Sequence, residues 1–130
     1  MTIEFSRRLA IVFGIVTPLV ETLRRWHQLS DLSVWPFWLD DFLLGGLLLY
    51  GAWRVGKDAR VGRPFLAAGW GFTCGMAYGS FFTQLNHLHE PDPAPIPSIW
   101  VAVIKGIGLA LAVAALVATL RPGADDRATR

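Results

Sequence analysis

Apolar residues along this chain fall into four blocks, near residues 5–23, 37–53, 64–85 and 98–120, each bounded by charged or turn-forming residues. Each block approaches the roughly 20 residues that an α-helix needs to cross a hydrocarbon layer about 30 Å thick. The connections between them are too short to hold a soluble domain. The pattern predicts an all-α polytopic membrane protein, a four-helix transmembrane bundle occupying residues 1–121. The polar residues 122–130 follow it as a disordered tail. The first block lacks a small-residue cleavage site and closes on Glu21, Arg24 and Arg25, so it reads as a retained helix and not as a secretory signal.

Taken at 100° per residue, every block shows a polar or small face. In the first helix it runs through Ala10, Gly14, Thr17, Glu21 and Gln28; in the third through Thr73, Ala77, Ser80, Gln84 and His87; in the fourth through Ser98, Lys105, Gly108, Ala112 and Thr119. The second helix carries Asp40 and Asp41 near its start, with Gly45 and Ala52 on the Asp41 side. On the opposite face of the third helix, Gly71, Gly75 and Gly79 form a doubled G-x-x-x-G, a seam that a helix of this chain or of a second copy can approach closely. Pro36 and Pro64 suit helix starts, Ser98 after Pro97 suits an N-cap, and Pro18 is expected to kink the first helix.

Charge sets the orientation. With the N-terminus cytoplasmic, nine arginine and lysine residues flank the inner ends of the blocks (Arg7, Arg8, Arg54, Lys57, Arg60, Arg63, Arg121, Arg127 and Arg130), against Arg24 and Arg25 outside. The bias predicts both termini in the cytoplasm. The composition, 53% hydrophobic and 17% charged with mean hydropathy +0.42, is too apolar for a soluble domain of this size. The basic residues flank spans, so their partner is the lipid bilayer and not nucleic acid. Arginine outnumbers lysine ten to two, a ratio associated with GC-rich bacterial genomes, and the expected location is a bacterial inner membrane. Cys74 is the single cysteine, which excludes an intrachain disulfide and a Cys-based metal motif.

The remaining charges carry the candidate chemistry. Glu21, Asp40, Asp41 and Lys105 all lie in the outer half, together with the only histidines, His27, His87 and His89. A charge at such depth costs on the order of 2.5–3.5 kcal/mol, so these groups should face the bundle and pair, Lys105 with Glu21, Asp40 or Asp41. One lysine leaves a negative excess unless Arg24 or Arg25 folds back over it. The expectation is an outward-facing polar pocket that binds or passes a proton or cation, built from Glu21, Asp40, Asp41, Lys105 and His87. His87, His89 and Glu90 are candidate ligands for a divalent metal such as zinc, manganese or iron, provided the third helix ends by Leu88. Haem between His27 and His87 is disfavoured because both lie at span ends. No nucleophilic triad or phosphate-binding glycine loop is present, so no catalytic residues are assigned and an enzyme is disfavoured. The alternative is a non-catalytic accessory or assembly subunit of a larger membrane complex, or a homo-oligomer, packed through the glycine seam, its charges only setting helix register.

Overall fold

The computed structural model describes residues 2–123, and among these are four long helices and no strand. They are α1 (Ile3–Arg25), α2 (Trp35–Lys57), α3 (Ala59–Asn86) and α4 (Ser98–Leu120). α1 packs on α2, α2 on α3 and α3 on α4, and a thinner contact between α1 and α4 closes the ring. Short connections between adjacent helices make neighbours antiparallel. Residues near both termini and the α2–α3 turn therefore share one end, the terminal end; the longer connections, residues 26–34 and 87–97, form the loop end. Arg127, Arg130 and most of the tail assigned as disordered lie outside the described residues.

Capping residues explain why the helices outrun the apolar blocks. Thr2 accepts the Phe5 N–H at 3.4 Å and starts α1. Asp58 accepts the N–H groups of Arg60 at 2.9 Å and Val61 at 3.3 Å, so one residue ends α2 and starts α3. Pro64 consequently lies inside α3 and not at its start, where it removes the hydrogen bond to the carbonyl of Arg60. Ser98 differs as well: it is the first helical residue, and its hydroxyl donates to the carbonyl of Glu90 at 2.7 Å, fastening the loop instead of capping α4. Two segments, Leu32–Lys57 and Ser98–Leu120, are long and apolar enough to cross a membrane. α1 carries more charge, and α3 more small or polar residues.

The interior is built from small residues. α1 buries Ser6, Ala10, Gly14 and Pro18, spaced four apart as one helix face requires, and α4 buries Ala112, Ala115, Ala118 and Thr119. Leu48, Leu66 and Trp70 fill the centre, but the large apolar side chains of α1 point outward: Ile15, Leu19 and Leu23 are 54%, 56% and 68% exposed, while Ser6 and Thr119 are 0% exposed. A domain that buries hydroxyls and exposes isoleucine and leucine reverses the arrangement stable in water.

Close crossings depend on particular glycines. A Cβ on Gly45 would stand 2.6 Å from the carbonyl oxygen of Gly14 and 2.8 Å from Cγ of Pro18. Pro18 has no N–H to offer the Gly14 carbonyl four residues earlier, and the Cα–H of Gly45 is directed at that oxygen instead. The proline thus prepares the α1–α2 crossing. Gly51 and Gly62 do the same for α2 and α3, where added Cβ atoms would meet the backbones of Leu66 and Val55. Among the described residues the seam assigned to Gly71, Gly75 and Gly79 packs against nothing, for a Cβ at any of the three meets no atom within 4 Å. α3 turns Leu66, Trp70 and Thr73 inward and leaves the glycine face outside.

One directed chain of hydrogen bonds ties three helices near the terminal end. Trp70 Nε1–H donates to Ser6 Oγ at 2.8 Å, and Ser6 lies 2.6 Å from Thr119 Oγ1. Thr119 donates to the carbonyl of Ala115 at 2.8 Å, so the proton between Ser6 and Thr119 belongs to Ser6. Every buried donor in the chain is satisfied in one sense, which fixes the rotamers around the fully buried Trp70. Below it, Arg7 donates to the Ala52 carbonyl at 3.1 Å, and Arg63 donates to the carbonyls of Thr119 and Arg121. Basic residues that mark orientation in the sequence also cross-link the helices at this end.

Candidate functional site

The charged residues at the loop end come from α1, α2, α4 and the α3–α4 loop, and α3 adds the neutral Gln84. The last turn of α1 presents Glu21, Arg24 and Arg25 at helical spacings of three and four, which brings both guanidinium groups onto one carboxylate. Arg24 Nη1 donates to Glu21 Oε1 at 3.0 Å, and Arg25 Nε donates to the same oxygen at 2.6 Å. Arg24 also reaches across to Asp92, with Nη2 donating to Oδ2 at 3.0 Å and to Oδ1 at 3.3 Å, and Nε to Oδ1 at 3.3 Å. The two arginines do fold back over the acids.

Asp92 is the residue that the sequence pattern missed. It sits in the run PDPAPIP, between exposed prolines, yet its side chain is only 3% exposed. Its Oδ1 accepts the Ala94 N–H at 2.9 Å, a turn that bends the loop so that the carboxylate points into the bundle. Burial alone would raise the pKa of Asp92. The Ala94 N–H, the Arg24 guanidinium and the Gln84 amide outweigh it and hold the carboxyl below its ordinary range. With the folded pKa below the unfolded one, Asp92 contributes stability above the unfolded pKa of about 4, and that stability is lost as pH falls through the folded pKa. Melting midpoints followed through the acid range are expected to fall, and the fall is expected to be shallower in Asp92→Asn. Parallel curves for the two proteins would show that Asp92 contributes nothing.

Lys105 does not find the carboxylate partner expected for it. Its Nζ donates to Gln84 Oε1 at 2.9 Å, and among the described residues no acid lies within ion-pairing distance. Glu21 and Asp92 are nevertheless within its electrostatic reach, as are Arg24 and Arg25. The reason is geometric: Arg24 and Arg25 already occupy Glu21 and Asp92, and Gln84, 6% exposed, lies between the lysine and that group. Asp41 is half-buried and feels Glu21, Arg25, Asp40 and Arg24, yet it is a party to none of the ion pairs. Asp40 is exposed, and neither acid caps α2, whose start has no side-chain cap. On the α1–α2 side, Trp38 Nε1–H donates to Thr22 Oγ1 at 2.9 Å and stacks edge-on against Phe42, forming a wall beside Asp41 in sequence.

The histidines stand apart from this group. His27, His87 and His89 are exposed, as is Glu90. His87 folds back on its own helix, its Nδ1–H donating to the carbonyl of Thr83 at 2.8 Å, since a carbonyl can only accept. Among the described residues no three His, Cys, Asp or Glu side chains are grouped so as to hold a metal ion. His87, His89 and Glu90 therefore do not converge with Glu21, Asp40 or Asp41 into a ligand set.

No protein-family model matches the chain, and neither the curated proteins nor the solved structures include a significant match to it.

Proposed function

We propose that the chain is a multi-pass membrane protein of a bacterial inner membrane, with four spans and both termini cytoplasmic, whose outward loop end binds a proton or a small cation. The observation that carries this reading is Asp41, a half-buried carboxyl beside a closed ion-pair group and itself in no ion pair. Glu21 and Asp92 are each engaged by guanidinium groups and Asp40 is exposed, which leaves Asp41 as the half-buried acid open to exchange. Lys105, at the same end of the bundle, has one of its three N–H donors on Gln84. Multi-pass insertion draws support from the outward-pointing isoleucines and leucines of α1 and from the apolar lengths of α2 and α4. The excess of arginine and lysine at the terminal end supports the orientation.

The test is infrared difference spectroscopy on protein reconstituted in liposomes, stepped through pH. A carboxylic C=O band that appears on acidification and vanishes in Asp41→Asn is the expected result. A band unaffected by Asp41→Asn, or no band at any pH, overturns the reading. Cysteine labelling in a Cys74→Ala background checks the topology: a cysteine at His89 is expected to react from outside and one at Lys57 only after permeabilisation.

A second reading has its own observation. The Gly71, Gly75 and Gly79 face is smooth and uncovered within the chain, which suits packing against a second copy or a larger membrane complex. Purified protein that shows no proton or cation dependence but runs as a stable assembly supports this role.

A further inference from the structure

A loop of alternating prolines is expected to be wet, and its acids with it. In the α3–α4 loop, Pro91, Pro93, Pro95 and Pro97 are exposed, whereas Asp92 alone inserts its carboxylate among groups of α1 and α3. The contacts it meets are those a planar carboxylate requires: two guanidinium nitrogens of Arg24 in a forked arrangement, the Ala94 backbone N–H on Oδ1, and the Gln84 amide. Gln84 is 6% exposed and is itself held by Lys105, and Arg24 is oriented by Glu21, so these two receiving groups are fixed by neighbours other than Asp92. The loop is secured separately, by the Ser98 hydroxyl on the Glu90 carbonyl. Arg24 and Gln84 thus come from parts of the chain other than the loop that carries both Asp92 and Ala94.

We propose that Arg24, Gln84 and the Ala94 amide form a binding site for a small carboxylate, occupied here by the chain's own Asp92. The side chain acts as a tethered ligand that closes the loop end. A free carboxylate of acetate or formate size carries the same two oxygens and charge, so it fits the same donors once Asp92 is shortened. The tether confers an effective concentration in the millimolar range or above, so a free competitor acts only at comparable levels. The inference goes beyond the proton or cation reading and does not depend on Asp41.

Chemical rescue tests it. The full-length protein carrying Asp92→Ala is expected to melt below the parent in detergent. Sodium acetate at about a hundred millimolar, in the range of the tethered competitor, is expected to restore most of the lost midpoint, and sodium chloride at equal ionic strength to restore none. The parent is expected to respond equally to the two salts, and Asp92→Ala combined with Arg24→Gln is expected to lose the acetate response. Equal shifts with acetate and chloride in Asp92→Ala, or an acetate response that survives Arg24→Gln, overturn the proposal. Should Asp92→Ala not fold, Asp92→Ser is read in the same way, and recovery of folded protein on purification in acetate but not in chloride counts as rescue. Failure of both variants in both salts counts against the site.

Discussion

Gly62→Ala is expected to break the α2–α3 hairpin. The added methyl group would stand 2.5 Å from the carbonyl carbon of Arg54 and still closer to the backbone nitrogen of Val55. Backbone atoms one turn from the Asp58 reversal have no rotamer to move to, so the helices must separate. Overpacking of side chains costs about 1–3 kcal/mol, and a clash with backbone exceeds that range. Unfolding in a mixed-detergent titration is the measurement, with loss of the folded baseline the expected outcome. The paired control is Gly75→Ala, whose methyl meets no atom within 4 Å. It is expected to alter monomer stability by less than about 0.5 kcal/mol, as at other uncontacted surface positions. If Gly62→Ala is as stable as Gly75→Ala, the α2–α3 crossing is looser than described; if Gly75→Ala abolishes an assembly, its face is an interface.

Arg24→Gln is expected to be the most damaging change at the loop end. Its guanidinium serves Glu21 and Asp92 together, and Asp92 has no other cation within ion-pairing distance among the described residues. Removing one partner of a buried pair leaves an uncompensated charge, at a cost of about 3–5 kcal/mol. Arg25 still covers Glu21, so the loss falls mainly on Asp92 and the loop. Hydrogen exchange at the Ala94 amide is expected to accelerate with it. Lys105→Met is expected to cost much less, about 1–2 kcal/mol, because it removes a single charged hydrogen bond to the neutral Gln84 and strands no carboxylate. A larger loss from Lys105→Met than from Arg24→Gln would reverse this account and return Lys105 to the centre of the ion-pair group.

The fold was legible where the signal is local. Apolar run length and 100° periodicity mark four helices and place Ala10, Gly14, Thr73, Gln84, Ala112 and Thr119 on their inward faces, because each helix sorts its own residues between neighbours and surroundings. Depth along antiparallel helices likewise brings Glu21, Asp41 and Lys105 toward one end. Pairing was not legible, because it depends on how a loop returns. Nothing in PDPAPIP states that Asp92 turns inward, and Arg24 and Arg25 read first as orientation signals. Their spacings from Glu21, three and four residues, were the available clue. The glycine pattern left its partner open for a related reason: G-x-x-x-G describes a smooth surface and not whether anything lies on it. The crossings fell to Gly14, Gly45, Gly51 and Gly62, which share no common spacing motif.

The one-residue reversal at Asp58 has a consequence for the order of assembly. α2 and α3 meet through residues close in sequence, whereas α1 and α4 meet through pairs such as Ser6 and Thr119, 113 positions apart. Chain entropy favours the near pairing first and the distant one last. The α1–α4 seam is also the thinnest in the ring, held by the Ser6–Thr119 hydroxyl pair near the terminal end and by the Asp92 loop at the other. What closes last opens at least cost, an order that native-state hydrogen exchange reads directly. The bundle therefore has a firmly packed side, along α2 and α3, and a thinly packed side, between α1 and α4, where lateral parting is expected first.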